Sequence, residues 1–273
     1  VIATLKHFTA YGVPEGGHNA GMAHVGVREL LTELSYPFEM AVKAGALSLM
    51  TAYNEVDGIP CTANPFLTNR LLRDQWGFTG FVVSDLYSID GLMSQRVAVN
   101  REEAGMLALR SGVDSDLGGN CYGADLVKAC REGRLAEADI DRAVSRILRL
   151  KFEMGLFDDP YVKVEKAEKQ VGTSEHREVS REVARQSVVL LKNENKLLPL
   201  SKEVKRVAVI GPNADNVYNQ LGDYTAPQAP GSVITVLEGI RQKLSGAEIR
   251  YVKGCAVRDT LNASIGEACE AAK

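Results

Sequence analysis

Residues 45–85, GALSLMTAYNEVDGIPCTANPFLTNRLLRDQWGFTGFVVSD, hold two short apolar runs separated by a longer amphipathic one. GALSLMTAY (45–53) predicts a strand, Pro65–Gln75 a helix with Leu67, Leu71 and Leu72 on its inward face, and GFVVS (80–84) a second strand. Neither strand alternates polar with apolar side chains. A near-continuous apolar run is what a parallel strand covered on both faces requires. Strand, helix, strand at this spacing is a βαβ unit.

The alternation extends in both directions. Upstream, Ile2–Phe8 predicts a strand, and Val27–Lys43 a helix with Leu30, Leu31, Leu34, Phe38 and Val42 on one face. Downstream come a helix over Arg101–Ser111, a strand over Gly112–Leu117 and a helix over Ala124–Glu132. Four such units match half of a (β/α)8 barrel, whose full circuit takes about 250 residues. The expected class is therefore α/β, with the C-terminal half of a barrel over residues 1–157. Ile140–Phe157 is its closing helix, with Asp139 as N-cap and Gly155 near its end. Residues 158–174 read as a polar linker. Residues 175–273 read as part of an α/β sandwich: helices over Glu175–Asn193, Val233–Leu244 and Leu261–Lys273, and strands over Arg206–Gly211 and Glu248–Lys253. The chain opens at Val1 inside an apolar run and closes on a helical pattern without a stop signal, so we expect an interior piece of a longer protein.

The 273 residues are 45% hydrophobic and 25% charged, with a formal charge of -3, an ordinary globular profile. That charge lacks the basic face a nucleic-acid partner requires, and no apolar run is long enough to span a bilayer. The five cysteines form no CxxC pair, and the four histidines no HExxH pattern, so no metal site is expected.

In parallel α/β folds the reactive side chains sit at the carboxyl ends of strands. Lys6 and His7 end the first strand, Tyr53 and Asn54 the second, Asp85 the third, and Asp114 and Asp116 the fourth. Phe81-Val82-Val83-Ser84-Asp85 delivers a carboxyl from a rigid strand, where it can attack a carbon centre, act as a base or hold a metal. The plainer alternative is a helix cap or a loop-closing hydrogen bond. Lys6 and His7 suit hydrogen bonding to vicinal hydroxyls, or charge balance for a nearby acid. Asp114 and Asp116 alternate across their strand, so one faces inward and the other ties down a loop. His18 lies in a glycine-rich loop, Glu15-Gly16-Gly17-His18-Asn19, within reach of a ligand.

IATLKHFTAYG (2–12), RELLTELSYPFEMAVKAGALSLMTAYNEVDGIPCTANPFLTNRLLRDQWGFTGFVVSDL (28–86), GVDSDLGG (112–119), KFEMGLFDDPYV (151–162), SVVLLKNENKLLPL (187–200) and RVAVIGPNAD (206–215) together resemble glycoside hydrolase family 3. QLGDYTAPQ (220–228) is similar to bacterial members acting on plant β-glucosides and β-xylosides. The resemblance implies a retaining exo-β-glycosidase built from a (β/α)8 barrel followed by an α/β sandwich. It casts Asp85 as the catalytic nucleophile and Lys6 and His7 as binders of sugar hydroxyls. Tyr53 falls close to the nucleophile, Met50 lines the same pocket, and His18 sits in the substrate loop. The implied partner is an oligosaccharide or β-glycoside, with neither nucleic acid nor membrane, and no metal or organic cofactor. A periplasmic or secreted location follows from the resemblance alone.

Leu86 stands where the family usually has an aromatic residue, which bears on substrate preference, and His18 where many relatives have arginine. Glu238, Glu248 and Glu267 lie earlier than the family's acid/base glutamate, which is expected beyond the C-terminal end. Two alternatives accompany this reading. One is a β-N-acetylhexosaminidase of the same family, with a loop histidine in place of the distal glutamate; its histidine-glycine-histidine spacing is replaced here by Thr9-Ala10-Tyr11-Gly12. The other is a catalytically incomplete carbohydrate-binding piece.

Overall fold

In the computed structural model, which describes residues 1–222, 224–258 and 263–273, two units separate, Val1–Lys169 and Gln170–Lys273. The strands of the first unit are β1 (Thr4–Phe8), β2 (Met22–Ala23), β3 (Ser48–Thr51), β4 (Glu55–Val56), β5 (Ile59–Pro60) and β6 (Phe81–Val83). β1, β3 and β6 form one parallel sheet in that order, with Leu5 opposite Leu49 and Leu49 opposite Val82. Strands adjacent in the sheet and separated by helices in sequence are the α/β arrangement that the apolar runs predict. β2, β4 and β5 form a small second sheet at the carboxyl ends of the first. Their two-residue strands carry no sequence period, so the sequence reading contains no sign of them.

Leu49 and Val82 are fully buried on the helix-covered face of the sheet. Against them pack Leu67, Leu71 and Leu72 of the helix Phe66–Gln75, the inward face expected from the sequence. The predicted helix over Val27–Lys43 is broken instead into α1 (Val27–Glu29), a wide turn over Leu30–Leu34 and α2 (Tyr36–Lys43). Pro37 has no amide to continue the ladder, and the Ser35 N–H bonds the Leu30 carbonyl one residue further back than in an α-helix, at 2.8 Å. Then come α3 (Ser88–Ser94), α4 (Arg101–Arg110), α5 (Ala124–Arg131) and α6 (Glu137–Glu153). α3 is too short to show a period in the sequence. α6 begins before Asp139, with Ala136 at its N-cap position; Asp139 pairs instead with Arg142 at 2.5 Å.

The expected fourth strand, Gly112–Leu117, shrinks to one parallel bridge, Val83 with Ser115. The reason is a side chain. The Val82 N–H, free for a ladder, donates to the Asp114 carboxylate at 2.8 Å, and the Val82 carbonyl accepts from both Asp114 and Ser115 amides. Arg73 and Arg146 each donate to the same carboxylate at 2.7 Å. Asp114 is thus the tie between β6, the Phe66–Gln75 helix and α6, the loop-tying role open to one of the two acids. Burial pushes its carboxyl upward, against the pull of both guanidiniums.

The first unit ends within α7 (Val164–Gln170), which has no buried residue, and the second opens with α8 (Ser174–Ser187), capped by Thr173. α7 falls inside the stretch read as linker. α8 stops six residues short of Asn193; the Ser187 hydroxyl donates back to the Val183 carbonyl at 2.7 Å and Val188 turns extended. β7 (Arg206–Ile210), α9 (Val217–Leu221), α10 (Val236–Lys243), β8 (Glu248–Val252) and α11 (Ile265–Ala272) follow, with β7 and β8 parallel over five register pairs. Val209, Leu237, Val252 and Ala268 are the buried centre of this unit. Of the last predicted helix, Leu261 and Asn262 lie outside the described residues. Among the described residues no helix is long and apolar enough to cross a membrane.

Candidate active site

β1, β3 and β6 end on one side of the sheet, and their last residues meet there. In β6, Phe81 and Val83 share the face opposite the buried Val82, and with a period of two Asp85 continues that face beyond the strand. Met50, the register partner of Val83, stands half-buried on the same face.

Asp85 is only 4% exposed. Its Oδ1 accepts the Leu86 N–H at 2.7 Å, and its own carbonyl accepts the Ser88 N–H, tying the turn to the start of α3. Its Oδ2 is buried and has no hydrogen-bond partner. The His7 Nε2 lies 3.4 Å from it, close enough for an electrostatic contact but without hydrogen-bond alignment. A buried carboxylate oxygen left unbonded costs stability, and here one carboxyl oxygen is anchored and the other is left open. Ser84 holds the preceding backbone, its Oγ accepting from the Leu117 N–H at 2.9 Å.

Tyr53 reaches the same turn from β3. Its hydroxyl donates to the Leu86 carbonyl at 2.7 Å, while its own carbonyl accepts from Gln95 at 3.0 Å. The end of α3 is thereby joined to the end of β3 around the Asp85 turn. Leu86 is 43% exposed, and any side chain at Gly118, itself at φ +78, would run into it.

His7 reaches Asp85 through an irregularity in β1. The register advances from Leu5/Leu49 to Phe8/Thr51, which gives β1 one residue more than β3 over that interval. The bulge turns the strand end so that Lys6 is exposed and His7 half-buried beside the carboxyl. Burial, then the adjacent Lys6 charge, lowers the His7 pKa below its ordinary value, with Asp85 opposing. His7 therefore favours the neutral imidazole, which both donates and accepts hydrogen bonds. Tyr11 packs its ring on His7 at 4.5 Å between centroids and faces Tyr53 at 6.1 Å. Its hydroxyl donates to the Asn19 side-chain oxygen.

Of the residues singled out from the sequence, Asp85, His7 and Tyr53 share one contact network, with Met50 one register step away. His18 is exposed and leans over Gly16; its neighbour Asn19, not His18 itself, joins the network. A salt bridge from Glu15 to His24 at 2.7 Å closes that loop. Tyr11 and Gln95 were not singled out. Tyr11 lies four residues past His7 and Gln95 ten past Asp85, and neither spacing signals contact outside the fold. Asn54 is a structural residue, donating to the Thr9 carbonyl at 3.2 Å.

Asp116 lies away from the Asp85 network. With Asp90 and Cys121 it forms a group whose ligand atoms fall within 4.8 Å of one another. Asp116 accepts the Cys121 N–H at 2.8 Å, Asp90 pairs with Arg101 at 2.7 Å, and burial with the Asp90 contact pushes the Cys121 thiol up to about 12. Asp116 is thus a second loop anchor, under residues 116–121, so both acids tie down loops and neither takes the inward-facing place expected for one of them.

Residues 1–150 match the family model described as glycosyl hydrolase family 3 N terminal domain, and residues 188–273 the family 3 C-terminal domain. The chain is 39% identical to a beta-xylosidase of Formosa agariphila, covering 100% of this chain and 40% of that protein. It is 36% identical to a periplasmic beta-glucosidase of Salmonella typhimurium, covering 94% of this chain and 34% of the relative. It also superposes on a beta-glucosidase of Listeria innocua solved in complex with glucose, with a TM-score of 0.84, 33% identity, and coverage of 99% of this chain and 37% of that one. The chain thus spans well under half the length of each.

Proposed function

The chain belongs to glycosyl hydrolase family 3, and from that premise we propose that it is an interior part of a retaining, exo-acting β-glycosidase with Asp85 as nucleophile. The observation that carries this reading is the Asp85 carboxyl at the end of β6, with Oδ1 held by the Leu86 amide and Oδ2 buried, unbonded and beside His7. An oxygen held still and kept from competing hydrogen bonds is suited to in-line attack.

In this mechanism Oδ2 gives an electron pair to the anomeric carbon as the glycosidic carbon–oxygen bond breaks. The leaving oxygen takes a proton from a second carboxyl group about 5–5.5 Å from the first. Water, deprotonated by that same group, then attacks the anomeric carbon and releases Asp85. His7, neutral by virtue of its burial, and Lys6 hydrogen-bond the sugar hydroxyls. Tyr53 fixes the Leu86 carbonyl and so the turn that aims Asp85, and Met50 lines the apolar side of the pocket. Among the described residues no ion pair or hydrogen bond brings a second carboxyl group to Asp85, and we place the acid/base glutamate beyond the C-terminal end of this sequence.

The substrates are terminal β-D-glucosyl or β-D-xylosyl residues, the sugars named for the two relatives above. Export to the periplasm or beyond agrees with the Salmonella relative's name. A β-N-acetylhexosaminidase would need His18 at the reaction centre, whereas His18 stays exposed over Gly16.

The test is Asp85→Ala in the full-length protein, assayed on nitrophenyl β-glucoside, β-xyloside and β-N-acetylglucosaminide. Loss of about 10⁴-fold or more in kcat with an unchanged circular dichroism spectrum is expected, the scale of removing a covalent nucleophile. Undiminished kcat ends the nucleophile assignment, and turnover confined to the N-acetylglucosaminide ends the glucoside/xyloside reading.

A further inference from the structure

Beyond these assignments, and resting on the β-glycosidase reading for its catalytic consequence, we propose that Tyr11 is a positioning residue that holds the His7 imidazole against Asp85 and couples that pair to the glycine-rich loop. Its ring lies 4.5 Å from the His7 ring, tilted by 55°, and 6.1 Å from the Tyr53 ring. Its hydroxyl donates to Asn19 at the far end of the 15–19 loop, which the Glu15–His24 pair closes behind it.

Tyr11 thus touches three things that the strands alone do not hold together. The β1 bulge leaves His7 without a ladder neighbour of fixed register, so its ring orientation has to come from side-chain packing. The 3.4 Å separation of Nε2 from Asp85 Oδ2 depends on that orientation. A misplacement of about 1 Å in such a constellation costs on the order of 100-fold in rate. The groups facing His7 are Lys6 and Asp85 as charges and Tyr11 as a ring. Of these, Tyr11 covers the imidazole, and its removal lets water in and weakens the desolvation that lowers the His7 pKa.

The experiment uses full-length protein carrying Tyr11→Ala or Tyr11→Phe. The His7 titration is followed by NMR on ¹³C-labelled histidine, assigned with His7→Gln, and kcat and KM are measured on the better nitrophenyl glycoside. Tyr11→Ala is expected to raise the His7 midpoint toward 6.5 and to lower kcat/KM by roughly 10- to 100-fold. Tyr11→Phe keeps the ring, so the midpoint stays and the loss, from the freed loop, falls on KM with kcat within about threefold of wild type. A wild-type midpoint and kcat/KM in Tyr11→Ala overturns the proposal, as does a kcat loss in Tyr11→Phe equal to that in Tyr11→Ala. Should Tyr11→Ala not fold, Tyr11→Leu carries the same readouts. The NMR arm needs no substrate, so a wild-type enzyme inactive on glycosides defeats the β-glycosidase reading while leaving the positioning claim to the titration.

Discussion

Replacing Asp114 by asparagine tests whether the sheet is held to its helices by a buried ionic tie. The carboxylate side chain is 1% exposed, Arg73 11% and Arg146 19%, and each guanidinium donates to it at 2.7 Å. Asparagine keeps an oxygen for the Val82 N–H, so the β6 backbone contact survives while the charge is lost. What remains is one largely buried guanidinium, Arg73, and a second partly buried one facing it without an anion. Breaking a buried pair from one side costs about 3–5 kcal/mol. The exposed Glu39–Lys43 pair, with Lys43 57% exposed, is the internal control; Glu39→Gln should cost under about 0.5 kcal/mol. Urea unfolding followed by circular dichroism gives both numbers. Hydrogen exchange on peptides covering 80–86 and 112–117 locates the loss at the tie. A cost below about 1 kcal/mol for Asp114→Asn, the range of solvated pairs, refutes the reasoning.

Two further outcomes follow from the same geometry. Gly80→Ala sets a Cβ against the Leu47 carbonyl and 2.6 Å from the Phe78 ring, where β6 leaves the turn; because backbone cannot yield cheaply, a loss of about 1–3 kcal/mol is expected by urea unfolding, and a neutral result contradicts the close approach. His7, whose folded pKa is depressed, binds fewer protons folded than unfolded between that lowered value and 6.5. Its contribution to stability is therefore present above 6.5 and lost as pH falls through the window below; the acid limb of kcat/KM assigned to it by His7→Gln should likewise fall below 6.5, and a limb above 6.5 contradicts the direction.

The parallel sheet was legible because β3 and β6 read as unbroken apolar runs, a local property, with Leu49 and Val82 fully buried on one face and Met50, Phe81 and Val83 half-buried on the other. Asp85 was legible for a related reason: a rigid strand delivers its terminal residue to a predictable place. The Gly112–Leu117 segment misled because its apolar residues scan as a strand, while the Asp114 side chain takes the amide that a ladder would use. Pro37 was visible, yet a period spanning it outweighed the break it imposes. The bulge that brings His7 to Asp85, and the Tyr11 and Gln95 contacts that frame it, are tertiary. No spacing along the chain encodes them. His18 sits beside Asn19, the loop residue that meets Tyr11, in a glycine-rich stretch where side-chain direction has no period.

The most direct examination of the nucleophile is chemical trapping. Full-length enzyme incubated with 2-deoxy-2-fluoro β-glucosyl or β-xylosyl fluoride should accumulate the glycosyl-enzyme, because the C2 fluorine slows both formation and hydrolysis of the intermediate while the anomeric fluoride, a good leaving group, restores its formation. Peptic digestion and mass spectrometry should then find the added sugar on the peptide containing Phe81–Leu86, attached through Asp85. A label on another carboxyl group, or steady turnover of the β-glycoside with no labelled peptide, contradicts the assignment.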